Sequence, residues 1–157
     1  MKNLVVLLFA ILALASCKKD SIDDIYNPTA SMKAKIGAAQ WEAVTRLVTL
    51  QSNKFIITGT GTVTGNDVIA ITVLGETTGT YNLNAPQSQL QFSANYTPKA
   101  GMSADSIYQA YEGVTTITEV DATNKKISGT FSFKMRMVTD PSNEVVVTEG
   151  TFTSLSY

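Results

Sequence analysis

From position 127 onward, apolar and polar residues alternate without a break. Ile127, Gly129, Phe131, Phe133, Met135 and Met137 fall on one face, and Ser128, Thr130, Ser132, Lys134 and Arg136 on the other. A period of two sends successive side chains to opposite sides of an extended chain, so this is a strand with one buried and one wet face. The pattern recurs in shorter pieces. Met32, Ala34 and Ile36 alternate with Lys33 and Lys35 and stop at Gly37, and Trp41-Glu42-Ala43-Val44 opens a second strand. Residues 54–62 (KFIITGTGT) and 67–74 (DVIAITVL) read as a hairpin around Gly65-Asn66, with Ile69, Ile71 and Val73 toward the core. Val68, Ala70 and Leu74 make the other face of that strand partly apolar, which predicts a central, covered strand.

Residues 79–83 and 92–97 are shorter strand candidates, separated by the loop Ala85-Pro86-Gln87-Ser88. Residues 103–113 fit either a short helix capped by Ser103 or a strand, and the strands on both sides favour the strand. The turn Asp121-Ala122-Thr123-Asn124 joins strand 114–120 to strand 127–137, and Asp140-Pro141-Ser142-Asn143 leads into strand 145–155. SGTFSF (128–133) and EGTFTS (149–154) share Gly-Thr-Phe. If the second turn centres between Pro141 and Ser142, Phe131 lies opposite Phe152 and Phe133 opposite Gly150, an aromatic pair and a ring over a glycine. About eight to ten short antiparallel strands predict an all-β domain, a β-sandwich or a small closed β-barrel. The pattern does not separate the two, and the sandwich is slightly preferred.

The first sixteen residues do not share this pattern. Lys2 is followed by an uncharged apolar run, 4–15, and then by Ser16 and the only cysteine, Cys17. The run has the length of a secretory core segment, well short of the roughly 20 residues of a membrane-spanning helix. Leu14-Ala15-Ser16-Cys17 resembles the bacterial lipoprotein signal. That resemblance implies cleavage between Ser16 and Cys17, lipid on the Cys17 thiol, and further acylation of the amine that cleavage frees. Two or more acyl chains hold a protein stably on a membrane. The organisation is then a signal peptide (1–16), a lipidated cysteine and tether (17–30) and one β-domain (31–157). The tether, with Asp20, Asp23, Asp24 and Asn27-Pro28, is charged and broken rather than structured.

Composition narrows the chemistry. The net charge is −1, which gives no basic surface for nucleic acid. There is no histidine, and no cysteine follows Cys17. Ser-His-Asp and Cys-His catalysis, histidine metal sites and a disulfide framework are thereby excluded from the domain.

The lipobox, the opening MKAKIGAAQWEA (32–43), the stretch GVTTITEVDATNKKISGTFSF (113–133) and VTEGTF (147–152) together resemble a family of small uncharacterised Bacteroidota lipoproteins, a domain of unknown function. The resemblance implies a fold and an address, and it transfers no catalytic residue. Acidic residues after the cysteine resemble the surface-export signal of such proteins, although Lys18 and Lys19 come first. Asp20-Ser21-Ile22 and Asp105-Ser106-Ile107 resemble their O-glycosylation pattern, which marks Ser21 and Ser106 as acceptors, Ser21 the more reachable.

Glu119 and Asp121 share a strand face, yet nothing else assembles the paired-carboxylate cleft of a glycosidase. Asp121 and Asn124 are oxygen donors that turn hydrogen bonding explains without calcium. Trp41, Tyr108 and Tyr111 are the candidate platform for a stacked ligand. The expectation is a non-enzymatic, lipid-anchored outer-membrane or cell-surface lipoprotein without cofactor or metal. It would be held to the membrane through Cys17 and would bind a glycan, a small ligand or an envelope protein. A structural lipoprotein without a ligand is the alternative, and a glycan hydrolase the weakest reading.

Overall fold

The computed structural model describes residues 29–61, 66–83, 92–99 and 106–157. Among these residues nine strands form: β1 (Ser31–Ile36), β2 (Ala39–Leu50), β3 (Lys54–Gly61), β4 (Val68–Leu74), β5 (Gly79–Asn82), β6 (Phe92–Thr97), β7 (Tyr108–Asp121), β8 (Lys126–Met137) and β9 (Glu144–Ser156). Every ladder is antiparallel, in the order β7-β6-β4-β3-β2-β1-β9-β8, and β8 pairs back onto β7. This closes an eight-stranded barrel. The ninth strand, β5, takes the edge of β7 at 114–117, beyond the two residues that β6 pairs with. Of the two predicted architectures the molecule is therefore the barrel, not the slightly preferred sandwich.

Alternation decides what fills it. On β3 and β4 every second residue is buried, and Phe55, Ile57, Ile69, Ile71 and Val73 are fully enclosed. Phe131, Phe133 and Met135 of β8 meet Phe152 of β9 and Phe92 of β6 inside. An eight-stranded barrel is just wide enough for side chains to fill. The outer wall carries Lys33–Glu42, Lys35–Glu149, Lys134–Glu112 and Arg136–Glu144 ion pairs between neighbouring strands. Apolar inside and polar outside is the reverse of a membrane-spanning barrel. The outer face of β4 is accordingly not covered as its apolar content predicted: Val68 and Ala70 are half-buried and Leu74 is exposed, because a closed barrel has no layer outside it.

The β8–β9 register corrects the expected one. Phe131 pairs with Gly150, Gly129 with Phe152 and Phe133 with Val147. The hairpin closes earlier than expected, with the Met137 N–H donating to the Asn143 carbonyl, and the ladder shifts twice along its length. Glu149 and Ser154 of β9 adopt positive φ near those shifts. The offset is two residues at Phe131 and three at Phe133, and the two shifts break the alternation of β9, so that Val147, Gly150, Phe152 and Leu155 are buried while Val146 is exposed. Two reciprocal ring-over-glycine contacts replace the predicted aromatic pair.

Residues 108–113, left between helix and strand, belong to β7, and 103–105 lie outside the described residues. Tyr111 is the bulged residue there, between the pairs Ala110–Met135 and Glu112–Lys134. Gly113 follows with φ +150° in direct contact with the Phe133 backbone, a place no side chain fits. The Asp121–Asn124 turn holds as predicted: the Asp121 carboxylate accepts from the Thr123 and Asn124 backbone N–H groups and from the Asn124 amide. The left-handed residue is the following Lys125.

Candidate functional site

Antiparallel closure sorts the strand ends into two groups. The start of β1, the β2–β3 and β7–β8 hairpins and the end of β9 lie at one end, where the described chain enters the barrel at Ser31. The β1–β2 turn, the end of β3 with the start of β4, the end of β6, the start of β7 and the β8–β9 hairpin lie at the other. The aromatic residues singled out in the sequence gather toward this second end.

They do not form one exposed platform. Trp41 is 1% exposed, seated in the barrel over Gly59 and Gly61, where the absence of side chains makes room for the indole. Tyr108 also points inward. Its ring lies 5.9 Å from that of Tyr96, and its hydroxyl donates to Asn143 Oδ1 at 3.1 Å. Tyr111, turned by the bulge, lies on the outside. The Arg136 guanidinium covers its ring at 3.9 Å, and its hydroxyl donates to Glu144 Oε1 at 3.3 Å. Arg136 Nε donates to the same oxygen at 2.8 Å. That hydrogen bond is the main reason the Glu144 carboxyl is held below the usual range and Arg136 above it. The cluster is a charge-balanced surface, with its aromatic face already occupied by a cation.

Beside it, Glu112, Gly113, Ser132, Lys134, Val146 and Thr148 line a shallow depression of about 190 Å³ on the outer wall. Its Lys134–Glu112 pair, at 2.9 Å, raises the lysine above its ordinary value, chiefly through the hydrogen bond to Glu112. Large exposed apolar side chains are Val44 and Leu47 on β2, Leu74, Val138 and Val146.

One residue at this end escaped the sequence reading as a site. Asp67, just before β4, is fully buried, and neither carboxylate oxygen has a hydrogen-bond partner among the described residues. Its signal was present: Asp67 shares parity with Ile69, Ile71 and Val73, so a carboxylate stands at a core-facing position. The Trp41 Nε1 donor and the Thr115 hydroxyl are likewise buried without partners among the described residues.

Cys17, Ser16 and Ser21 lie outside the described residues. Ser106 is half-buried, just before β7. Glu119 accepts a hydrogen bond from Ser128 at 3.1 Å, while Asp121 is engaged in its turn. Among the described residues, no three His, Cys, Asp or Glu side chains gather in a group that could hold a metal ion.

A family model described as a domain of unknown function, DUF6252, matches residues 28–156. No curated protein and no solved structure matches the chain.

Proposed function

As a chain that belongs to the DUF6252 family, whose description carries no activity, the protein has to be read from its own residues. We propose that it is a lipid-anchored lipoprotein of the outer membrane or cell surface, with a non-enzymatic barrel that binds its partner at the end away from the tether. The observation that carries this reading is polarity along the barrel. The chain from Cys17 enters at the start of β1, while the Tyr111–Arg136–Glu144 cluster, the Tyr96–Tyr108 pair and buried Asp67 gather toward the opposite end. An anchor at one end presents the other outward. Barrel mouths are among the places where ligand sites form, and the packed aromatic interior turns binding toward the mouth and wall.

The anchor is tested by mass spectrometry of the mature N-terminus. A diacylglyceryl-modified Cys17 is expected, and Cys17→Ala should release the protein from the membrane fraction. An unmodified Cys17 in a mature, membrane-free protein overturns the reading. Binding is tested by thermal shift against glycans, amphiphiles and envelope extracts. Ligand at 100 times its dissociation constant adds about 2.7 kcal/mol, several degrees for a domain of this size. A structural role without a ligand draws support from the polar, ion-paired wall, and it predicts no shift with any of these.

A further inference from the structure

β2 outruns one of its neighbours. β1 pairs with it only as far as Glu42, whereas β3 follows it from Ala43 to Leu50. Among the described residues no strand pairs with the second edge of residues 44–50. Thr29, two residues before β1, lies in a turn, so β1 is not prolonged along this edge. The stretch also stands clear of the barrel. Residues 44–47 are exposed in succession, where a strand lying against a core would alternate. Val44 is 65% exposed and Leu47 60%.

The β2–β3 hairpin shows where the backbone points. Gln51 and Lys54 exchange both hydrogen bonds across the loop Ser52-Asn53, whose φ angles are both positive. Bonded and non-bonded pairs alternate along an antiparallel ladder. Back from Gln51–Lys54, the bonded pairs are Thr49–Ile56, Leu47–Thr58 and Thr45–Thr60. Arg46, Val48 and Leu50 therefore turn their N–H and C=O groups to the open edge. Donors and acceptors repeating every second residue are a template for one more strand.

The spacing says which strand. The free groups are symmetric about Val48. A second β2, antiparallel and related by a two-fold axis at Val48, sets Val48 against Val48 and Arg46 against Leu50, and every free group is then bonded. Leu47 lies beside Thr49 of the other copy on the outer face, an apolar side chain against a β-branched one. Arg46 is the only charged residue in 43–50, and its guanidinium donates to its own Ala43 carbonyl at 2.9 Å. The edge offers no free charge to select a foreign strand, and no like charges stand opposite each other across the axis.

We propose that the protein forms a two-fold dimer in which residues 46–50 of β2 pair with the same residues of a second copy. The interface goes beyond the reading of a partner-binding end. It lies toward the end where β1 starts and leaves the other end free.

The full chain, in a density-matched detergent with micelles in excess over protein, is followed by sedimentation velocity and amide hydrogen exchange across a dilution series. A monomer–dimer equilibrium is expected. The Arg46, Val48 and Leu50 amides should be protected in the dimer and lose protection on dilution, while those of Thr45, Leu47 and Thr49 stay protected throughout. Arg46→Pro removes an N–H that the β3 ladder does not use. By symmetry the dimer loses that bond twice, so association should weaken about tenfold or more. Leu47→Lys places a charge beside the edge and should weaken association as well, while the dilute protein melts as the parent does. A monomer at every concentration overturns the proposal, as does a dimer that both variants retain. So do Arg46, Val48 and Leu50 amides protected alike at every dilution, which would mean that the chain covers this edge itself.

Discussion

Replacing Gly150 with alanine should unsettle the barrel more than its single methyl group suggests. Gly150 is buried on β9 directly opposite Phe131 of β8, whose ring lies across it. A Cβ built there falls within 3.0 Å of two ring atoms and of the Phe131 carbonyl oxygen. The ring could tilt, but Phe133 stacks on it at 5.3 Å and Phe152 lies 6.4 Å away, so the tilt spreads through the aromatic core. The carbonyl oxygen is backbone and can move only with the strand. Overpacking of this kind costs about 1–3 kcal/mol, and the backbone clash places Gly150 near the top of that range. Glycine in a strand carries an entropic cost of about 0.5–1 kcal/mol that alanine recovers, so the net loss is about 2 kcal/mol. That lowers the melting temperature by on the order of 5–10 °C. Calorimetry or urea melts of Gly150→Ala, Phe131→Leu and the double variant form a cycle. If the ring is the obstacle, the double variant loses less than the sum of the singles. Gly37→Ala is the control: nothing lies within 4 Å of its Cβ, and only the φ of +59° opposes alanine, at about 1 kcal/mol. A Gly150→Ala protein that melts within a degree of the parent would refute the reasoning.

Thr115 is fully buried with an unpartnered hydroxyl, so Thr115→Val should stabilise by about 1 kcal/mol, read as a higher urea midpoint with an unchanged slope. Trp41, deep in the barrel, should emit at short wavelength and resist iodide quenching until the protein unfolds. Asp121 is held below the ordinary aspartate range, first by the Asn124 backbone N–H and then by the Asn124 side chain. Its folded pKa lies below its unfolded one. Its contribution to stability is therefore complete above the unfolded value and disappears as pH falls through the folded one. Carboxyl NMR should show this low titration, and Asp121→Ala should lessen the acid dependence of the melt.

The strands themselves were legible in the residues. Alternation placed Ile69, Ile71 and Val73 inside and Lys134 and Arg136 outside, and the structure keeps those faces, because a pleated chain exposes one parity to each side whatever its neighbours are. The Asp121 turn was legible for the same local reason: its hydrogen bonds reach no further than three residues. Asp67 was half-legible, since its parity with the core positions could be seen while its lack of a partner could not.

Only the tertiary structure decided closure. The same alternation serves a sandwich or a barrel, and the choice rests on β8 meeting β7 and β1 meeting β9, pairs whose partners are set by the whole path of the chain. It also decided register. Positive φ at Glu149 and Ser154 accompanies the shifts in β9, and those shifts set glycine opposite phenylalanine twice. The offset is two residues at Phe131 but three at Phe133, and a period of two cannot foresee the bulges that make the difference. The placement of the start of β1 at one end and of the buried Asp67 carboxylate at the other follows from closure in turn. Alternation sets which way a side chain points wherever no bulge intervenes, and the closed ladder sets what it meets.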